Sequence, residues 1–276
     1  MHTRKKPLLT VCGLDGVLAP LMGTAAQSCD LAAAQLFCML GGKLTVFTHR
    51  APAAVRAALG RGTTSLPAVT CGGALLYDLN KDCLVQSRPI TVEAGRRILN
   101  FVREEMEHTG VVGVNEHGQT YLLQASREAQ VLLNSEGGEY HLAPPDADSP
   151  SWCKLSICAP AAQIAQFKHF MIQNPDLPVS VLRYDLCTLE LVAAQVQPRE
   201  TFRELCRQAG CLPQDVAAVT TQPQDLPWAA CAGQLLTMNE APEVLQASAH
   251  ERLGYYYKGA MGAYLYDLAA DLQPKL

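Results

Sequence analysis

Asp15 stands in the turn Gly13-Leu14-Asp15-Gly16, directly behind the apolar run Leu8 to Cys12. A carboxylate at the end of a buried strand can work as general acid and base, hold a metal weakly, or cap its own turn. Thr48, His49 and Arg50 close a second strand, and Arg199 follows Pro198 much later in the chain. A hydroxyl, an imidazole and two guanidinium groups are the donors of an anion site, to which free N–H groups around residues 13–16 would add. Two cysteines lie near these residues. Cys12 precedes Gly13, so strand alternation turns it to the other side of the sheet. Cys71 ends a third strand, but no histidine lies near it in sequence to lower a thiol's pKa. The seven histidines (His2, His49, His108, His117, His141, His169 and His250) form no ligand pattern, and no G-x-S-x-G, Walker or G-x-G-x-x-G motif is present.

The elements that must hold these residues follow from the apolar pattern. Leu8 to Cys12 reads as a buried strand running into a tight turn, and Ser28 to Leu40 as a helix stopped by Gly41-Gly42. Leu44 to Thr48 is a second strand, and Pro52 opens the helix Ala53 to Leu59, where its missing N–H does no harm. Ala68 to Cys71 is a third strand, and the alternation of strands with helices predicts a parallel sheet wound on both faces. From about Tyr77 to Leu191 the texture changes to strand-like alternation (Thr120 to Leu123, Lys154 to Cys158), a Pro/Asp-rich loop (Pro144 to Ser151) and two helices, Val92 to Glu107 and Ala161 to Gln173. That predicts an inserted α+β unit over 79–191, between core segments 1–78 and 192–276. A helix at Glu200 to Gln208, a strand at Val216 to Val219 and a helix start at Leu226 return the chain to the core.

The 276 residues fit one large domain or two, with a core that needs no staples. Only 17% of residues are charged, 49% are hydrophobic, and 22 basic against 26 acidic residues leave a net charge of −4. That balance excludes disorder and argues against nucleic acid or an anionic membrane as partner. The eleven cysteines are odd in number and scattered without a C-x-x-C pair, which suits small buried hydrophobes in a reducing cytoplasm. The basic start Met1 to Lys6 imitates a signal peptide, but the apolar run behind it meets Asp15 too early for export or a membrane span. Five of the nine tyrosines (Tyr255, Tyr256, Tyr257, Tyr264, Tyr266) crowd the C-terminal segment, as a last helix packed on the sheet or as an aromatic patch for a twin subunit.

The order of the pieces resembles the Cof-type sugar phosphatases of the haloacid dehalogenase (HAD) superfamily. The likeness runs from Leu8 to about Ala249 through Gly-Leu-Asp-Gly-Val, Thr48-His49-Arg50 and Cys71 to Tyr77. It ends on Met238-Asn239-Glu240-Ala241-Pro242-Glu243-Val244, an echo of the family's M-G-N-A-P-E-E-V. The resemblance implies a Rossmann-like HAD core with an inserted α+β cap, and descent from magnesium-dependent phosphatases of sugar phosphates or related metabolites. It also assigns roles. In the family's D-x-D-G-T the first aspartate attacks phosphorus and the second is general acid and base; here Gly13 holds the nucleophile position and Asp15 the acid/base position. Thr48 matches the phosphate-binding Thr or Ser. Pro198 stands where the family has its lysine, with Arg199 next to it. The family's G-D-G-x-N-D reads Thr220-Thr221-Gln222-Pro223-Gln224-Asp225, so Thr221 replaces a magnesium carboxylate and Asp225 alone is left as a weak ligand.

Nucleophile, lysine and metal carboxylate are lost together, and removing even one member of such a set is costly by several powers of ten. The expectation is a catalytically silent HAD-like protein with no cofactor, its cleft open to a phosphorylated small molecule through Thr48, His49, Arg50 and Arg199. The alternative is a divergent magnesium-dependent phosphatase that works with Asp15 and Asp225.

Overall fold

The computed structural model describes residues 7–21, 26–143 and 151–273; the basic start and most of the Pro/Asp-rich loop lie outside the described residues. The chain opens with β1 (Leu9–Cys12), α1 (Ser28–Met39), β2 (Leu44–Val46) and α2 (Pro52–Leu59). β3 (Ala68–Thr70), β4 (Leu75–Asp78) and β5 (Cys83–Ser87) follow. Next come α3 (Val92–Glu105), β6 (Gly110–Asn115), β7 (Thr120–Gln124), α4 (Arg127–Glu136) and β8 (His141–Leu142). β9 (Trp152–Cys158), α5 (Ala161–Gln173), β10 (Val179–Tyr184) and β11 (Thr188–Ala193) complete the insertion. The chain then returns through α6 (Pro198–Gln208), β12 (Val216–Val219), α7 (Leu226–Ala229) and β13 (Gln234–Thr237). It closes with α8 (Glu243–Ser248), β14 (Glu251–Arg252) and α9 (Ala260–Ala270).

The core sheet runs β14-β13-β12-β1-β2 with every pairing parallel. The β1 residues are all buried and serve both faces. Leu9 and Val11 pack with Phe202, Leu205 and Trp228 on one side, while Cys12 packs with Phe37, Met261 and Leu265 on the other. Alternation in a doubly covered strand requires that split. β3 meets the end of β2 through a parallel bridge, Phe47 to Val69, and turns into the antiparallel ribbon β3-β4-β5. The partner of β4 is thus β5, which lies inside the segment 79–191. Phe47 and Trp228 stack at 4.8 Å beneath the carboxyl ends of the central strands.

The insertion is a second sheet of order β10-β11-β9-β6-β7-β8. Leu155, Ile157, Leu189 and Leu191 face α3 and α5 through Ile98, Leu99 and Phe167. The alternate residues, among them Lys154 and Glu190, therefore look to the opposite face, where α4 packs through Leu132 and Leu133. Two helices are expected here, and the structure adds α4 as a third. Ser126 caps it by accepting the Ala129 N–H at 3.1 Å, and Ala129, Leu132 and Leu133 form a short buried stripe. Three inward positions make a weak signal in a helix of ten residues.

At the C-terminus, α9 packs on α1, and the Asp30 carboxylate accepts the Gly262 N–H in the first turn of α9 at 2.7 Å. A negative charge at that end complements the helix dipole. Met261 and Leu265 are buried, while Tyr255, Tyr257 and Tyr266 stay exposed, with Lys258 above the first two rings. The tyrosine-rich segment is both packed helix and aromatic surface. No described helix is long and apolar enough to cross a membrane.

Candidate functional site

Three neighbouring strands, β2, β1 and β12, end on the same side of the core sheet, the side where open parallel sheets bind ligands. Gly13 and Asp15 follow β1, Thr48-His49-Arg50 follows β2, and Thr220 to Asp225 follows β12. The cleft they form under the insertion encloses only about 100 Å³, with Glu136, Arg183, Gln222 and Gln224 completing its wall. Small-molecule pockets usually measure about 300–1,000 Å³.

Arg50 donates from Nε to Asp15 Oδ1 at 2.9 Å, and its Nη2 contacts the same oxygen. Its Nη1 donates to the Glu136 carbonyl at 2.9 Å. Thr48 is buried and accepts the Arg50 N–H at 3.2 Å, so it shapes the turn that aims the guanidinium. A guanidinium already paired with a carboxylate has less to offer a phosphate.

His49 lies between two carboxylates. Its Nδ1 is 3.2 Å from Glu190 Oε2, and its Nε2 is 3.8 Å from Asp225 Oδ1. Lys154, 1% exposed, donates from Nζ to the His49 carbonyl at 2.8 Å and to Glu190 Oε1 at 3.1 Å. Glu136 is 3.6 Å from the same ammonium. Lysine is almost never buried without such partners. Burial would push the Glu190 carboxyl up, but the Lys154 ammonium outweighs it, with help from His49, and holds the group below its usual 4.5. Burial dominates at Glu136 and Asp225 and raises both, against Lys154 in one case and His49 in the other.

These shifts have opposite signs in pH. The Glu190 contribution to stability is present above about 4.5, its unfolded value, and is lost as the pH falls toward its depressed folded value. The raised groups favour the fold in acid, and that share is lost as the pH rises through their folded values. Glu190→Gln is therefore expected to lower the melting temperature most near neutral pH, with the gap to the native chain closing below about pH 4.5 in thermal melts. A gap that is constant from pH 3 to 7 would remove the charge from the account.

Gly13 looks directly at Asp225. A Cβ built on Gly13 would stand 3.0 Å from Asp225 Oδ2 and 3.2 Å from Thr220 Oγ1, and Thr220 donates to that same Oδ2 at 2.6 Å. A side chain at position 13 would meet that hydrogen-bonded pair. Thr221 donates its hydroxyl to the Asp15 carbonyl at 2.7 Å and sits over Gly16, whose φ of +71° suits glycine. Of the donors that magnesium prefers, the ends of the core strands offer two carboxylates, Asp15 and Asp225. One is clamped by Arg50, and the other faces Thr220 and His49. Among the described residues no group of three His, Cys, Asp or Glu side chains is placed to hold a metal.

Asp15, Gly13, Thr48, His49, Arg50 and Asp225 thus converge. Arg199 does not: it is exposed in the first turn of α6 and does not line the cleft. Cys71 is buried, and burial pushes its thiol up, away from reactivity. Sequence reasoning did not single out Lys154, Glu136, Arg183 or Glu190 as site residues, and named Thr220 only as the start of a motif. A lysine inside Trp152–Cys158, a strand whose other residues are apolar except Ser156, was the available signal.

Residues 11–264 match the family model of haloacid dehalogenase-like hydrolases. A haloacid dehalogenase-like hydrolase from Bacteroides thetaiotaomicron has a TM-score of 0.79 at 14% identity, covering 95% of this chain and 100% of that one. A protein from Thermotoga maritima reaches 0.77 at 14% identity, over 95% and 97% of the two chains. The HAD subclass IIB sugar phosphatase BT4131 reaches 0.75 at 13% identity, over 96% and 99%. At these identities the likeness shows a shared fold. No curated protein matches the sequence.

Proposed function

The chain belongs to the haloacid dehalogenase-like hydrolases, and from that premise we propose that it is a Cof-type member whose phosphoryl-transfer site is silent or severely impaired. The observation that carries this reading is the face of Gly13, where the attacking carboxylate is missing and Asp225 with Thr220 crowds its room. The residues present do not fit magnesium, because both remaining carboxylates are engaged by Arg50, Thr220 and His49 and Thr221 brings a hydroxyl. The same contacts argue against a divergent phosphatase built on Asp15 and Asp225. The ligand class that descent favours is a phosphorylated small molecule, which would have to draw Arg50 away from Asp15. Thr48, His49 and Arg50 are its contacts in this reading, and the exposed Arg199 is not. The exposed tyrosines are the part of the C-terminal segment open to a second copy, and the eleven free thiols, five of them buried and three exposed, suit a reducing cytoplasm.

Phosphate release from a panel of sugar phosphates with Mg²⁺ tests the reading. The expected result is turnover no higher than that of Asp15→Ala measured beside it. Turnover that disappears in Asp15→Ala would overturn it, since Asp15 would then be working as acid and base.

A further inference from the structure

We propose that the charges in the cleft and buried beside it act as a clasp that holds the insertion shut against the core with no ligand bound. The clasp is built from both sides. From β9 and β11, Lys154 and Glu190 take hold of His49 at its carbonyl, 2.8 Å away, and at its ring, 3.2 Å away. From the core, Arg50 reaches the last carbonyl of α4, that of Glu136, while its other edge stays on Asp15. Just past that helix end, Gly138 has φ +88°, and a Cβ there would stand 2.6 Å from the Ala54 nitrogen of α2, so the two backbones touch.

In a cleft that waits for a phosphate, the cations on its walls need the ligand to balance them. Here Arg50 and Lys154 each find a carboxylate and a carbonyl in the protein, and each set of contacts crosses from one unit to the other. Lys154 and Glu190 are fully buried, where pairing matters most. Opening would strip Lys154 of the His49 carbonyl and Arg50 of the Glu136 carbonyl together. Closure is therefore the resting state, and a ligand must first unfasten Arg50. This inference does not rest on the loss of catalysis.

Hydrogen–deuterium exchange of the full chain tests it through residues 47–51 and 135–138. In the native chain these segments are expected to exchange slowly, with no added protection from millimolar inorganic phosphate. In Lys154→Met their exchange is expected to rise at least about tenfold while β1, β12, β6 and β9 stay protected, a local opening. If Lys154→Met loses protection throughout, Arg50→Lys decides, because lysine's one nitrogen lacks the separated Nε and Nη1 with which Arg50 reaches Asp15 on one edge and the Glu136 carbonyl on the other; it should raise exchange in both segments. Unchanged exchange in a folded Lys154→Met or in Arg50→Lys, or added protection of the native chain by phosphate, would overturn the clasp.

Discussion

Methionine in place of Lys154 is expected to lower the melting temperature by roughly 10 °C. The substitution keeps most of the side-chain volume but takes from the fully buried Glu190 its ammonium partner, leaving His49 and the neighbouring Arg183, and takes from Glu136 the ammonium 3.6 Å away. Removing one partner of a buried pair is worth about 3–5 kcal/mol. In a chain of this size each kcal/mol moves the melting temperature by about 2–4 °C. The double variant Lys154→Met with Glu190→Leu should lose less than the single one, since an apolar replacement of the whole pair leaves no unmatched charge between β9 and β11. Thermal melts of the three proteins at neutral pH give the answer. A loss under about 2 °C in the single variant would mean that the ammonium's pairing does not hold this region together.

Restoring the lost nucleophile alone is expected to fail. In Gly13→Asp the new side chain starts 3.0 Å from Asp225 Oδ2 and 3.2 Å from Thr220 Oγ1. It brings a further negative charge beside Asp225, a carboxylate whose pKa burial already raises. Two like charges about 4 Å apart repel by about 4 kcal/mol near a protein surface, so the variant should melt several degrees below the native chain. Phosphate release in the presence of Mg²⁺ should rise less than about tenfold, because Thr221 and Pro198 still stand where the family has its metal carboxylate and its lysine. A gain of about a thousandfold or more would show that the scaffold lacks only its nucleophile, and the silent reading would fall.

Much of the fold was legible because its signals are local. The four buried residues of β1, Pro52 at the start of α2 and the glycines after α1 each declare an element within a few positions. The helix Ala161–Gln173 could be read to its ends for the same reason. α4 could not, since Ala129, Leu132 and Leu133 repeat too few times to stand out from the alternating strands around them.

The candidate site divides along the same line. That Gly13 has no side chain, that Thr221 is not a carboxylate and that Pro198 is not a lysine are residue identities at the ends of strands, and the sequence alone determined them. The sequence also determined that Lys154 and Glu190 are polar members of apolar strands. Only the tertiary structure decided their partners. Lys154 finds the His49 carbonyl 105 residues away, and Glu190 finds the His49 ring across 141. Asp225 fills the space before Gly13 because β12 lies beside β1. A strand's period is set by its own backbone, whereas the partner of a buried charge is set by sheet order and by how one unit docks on another.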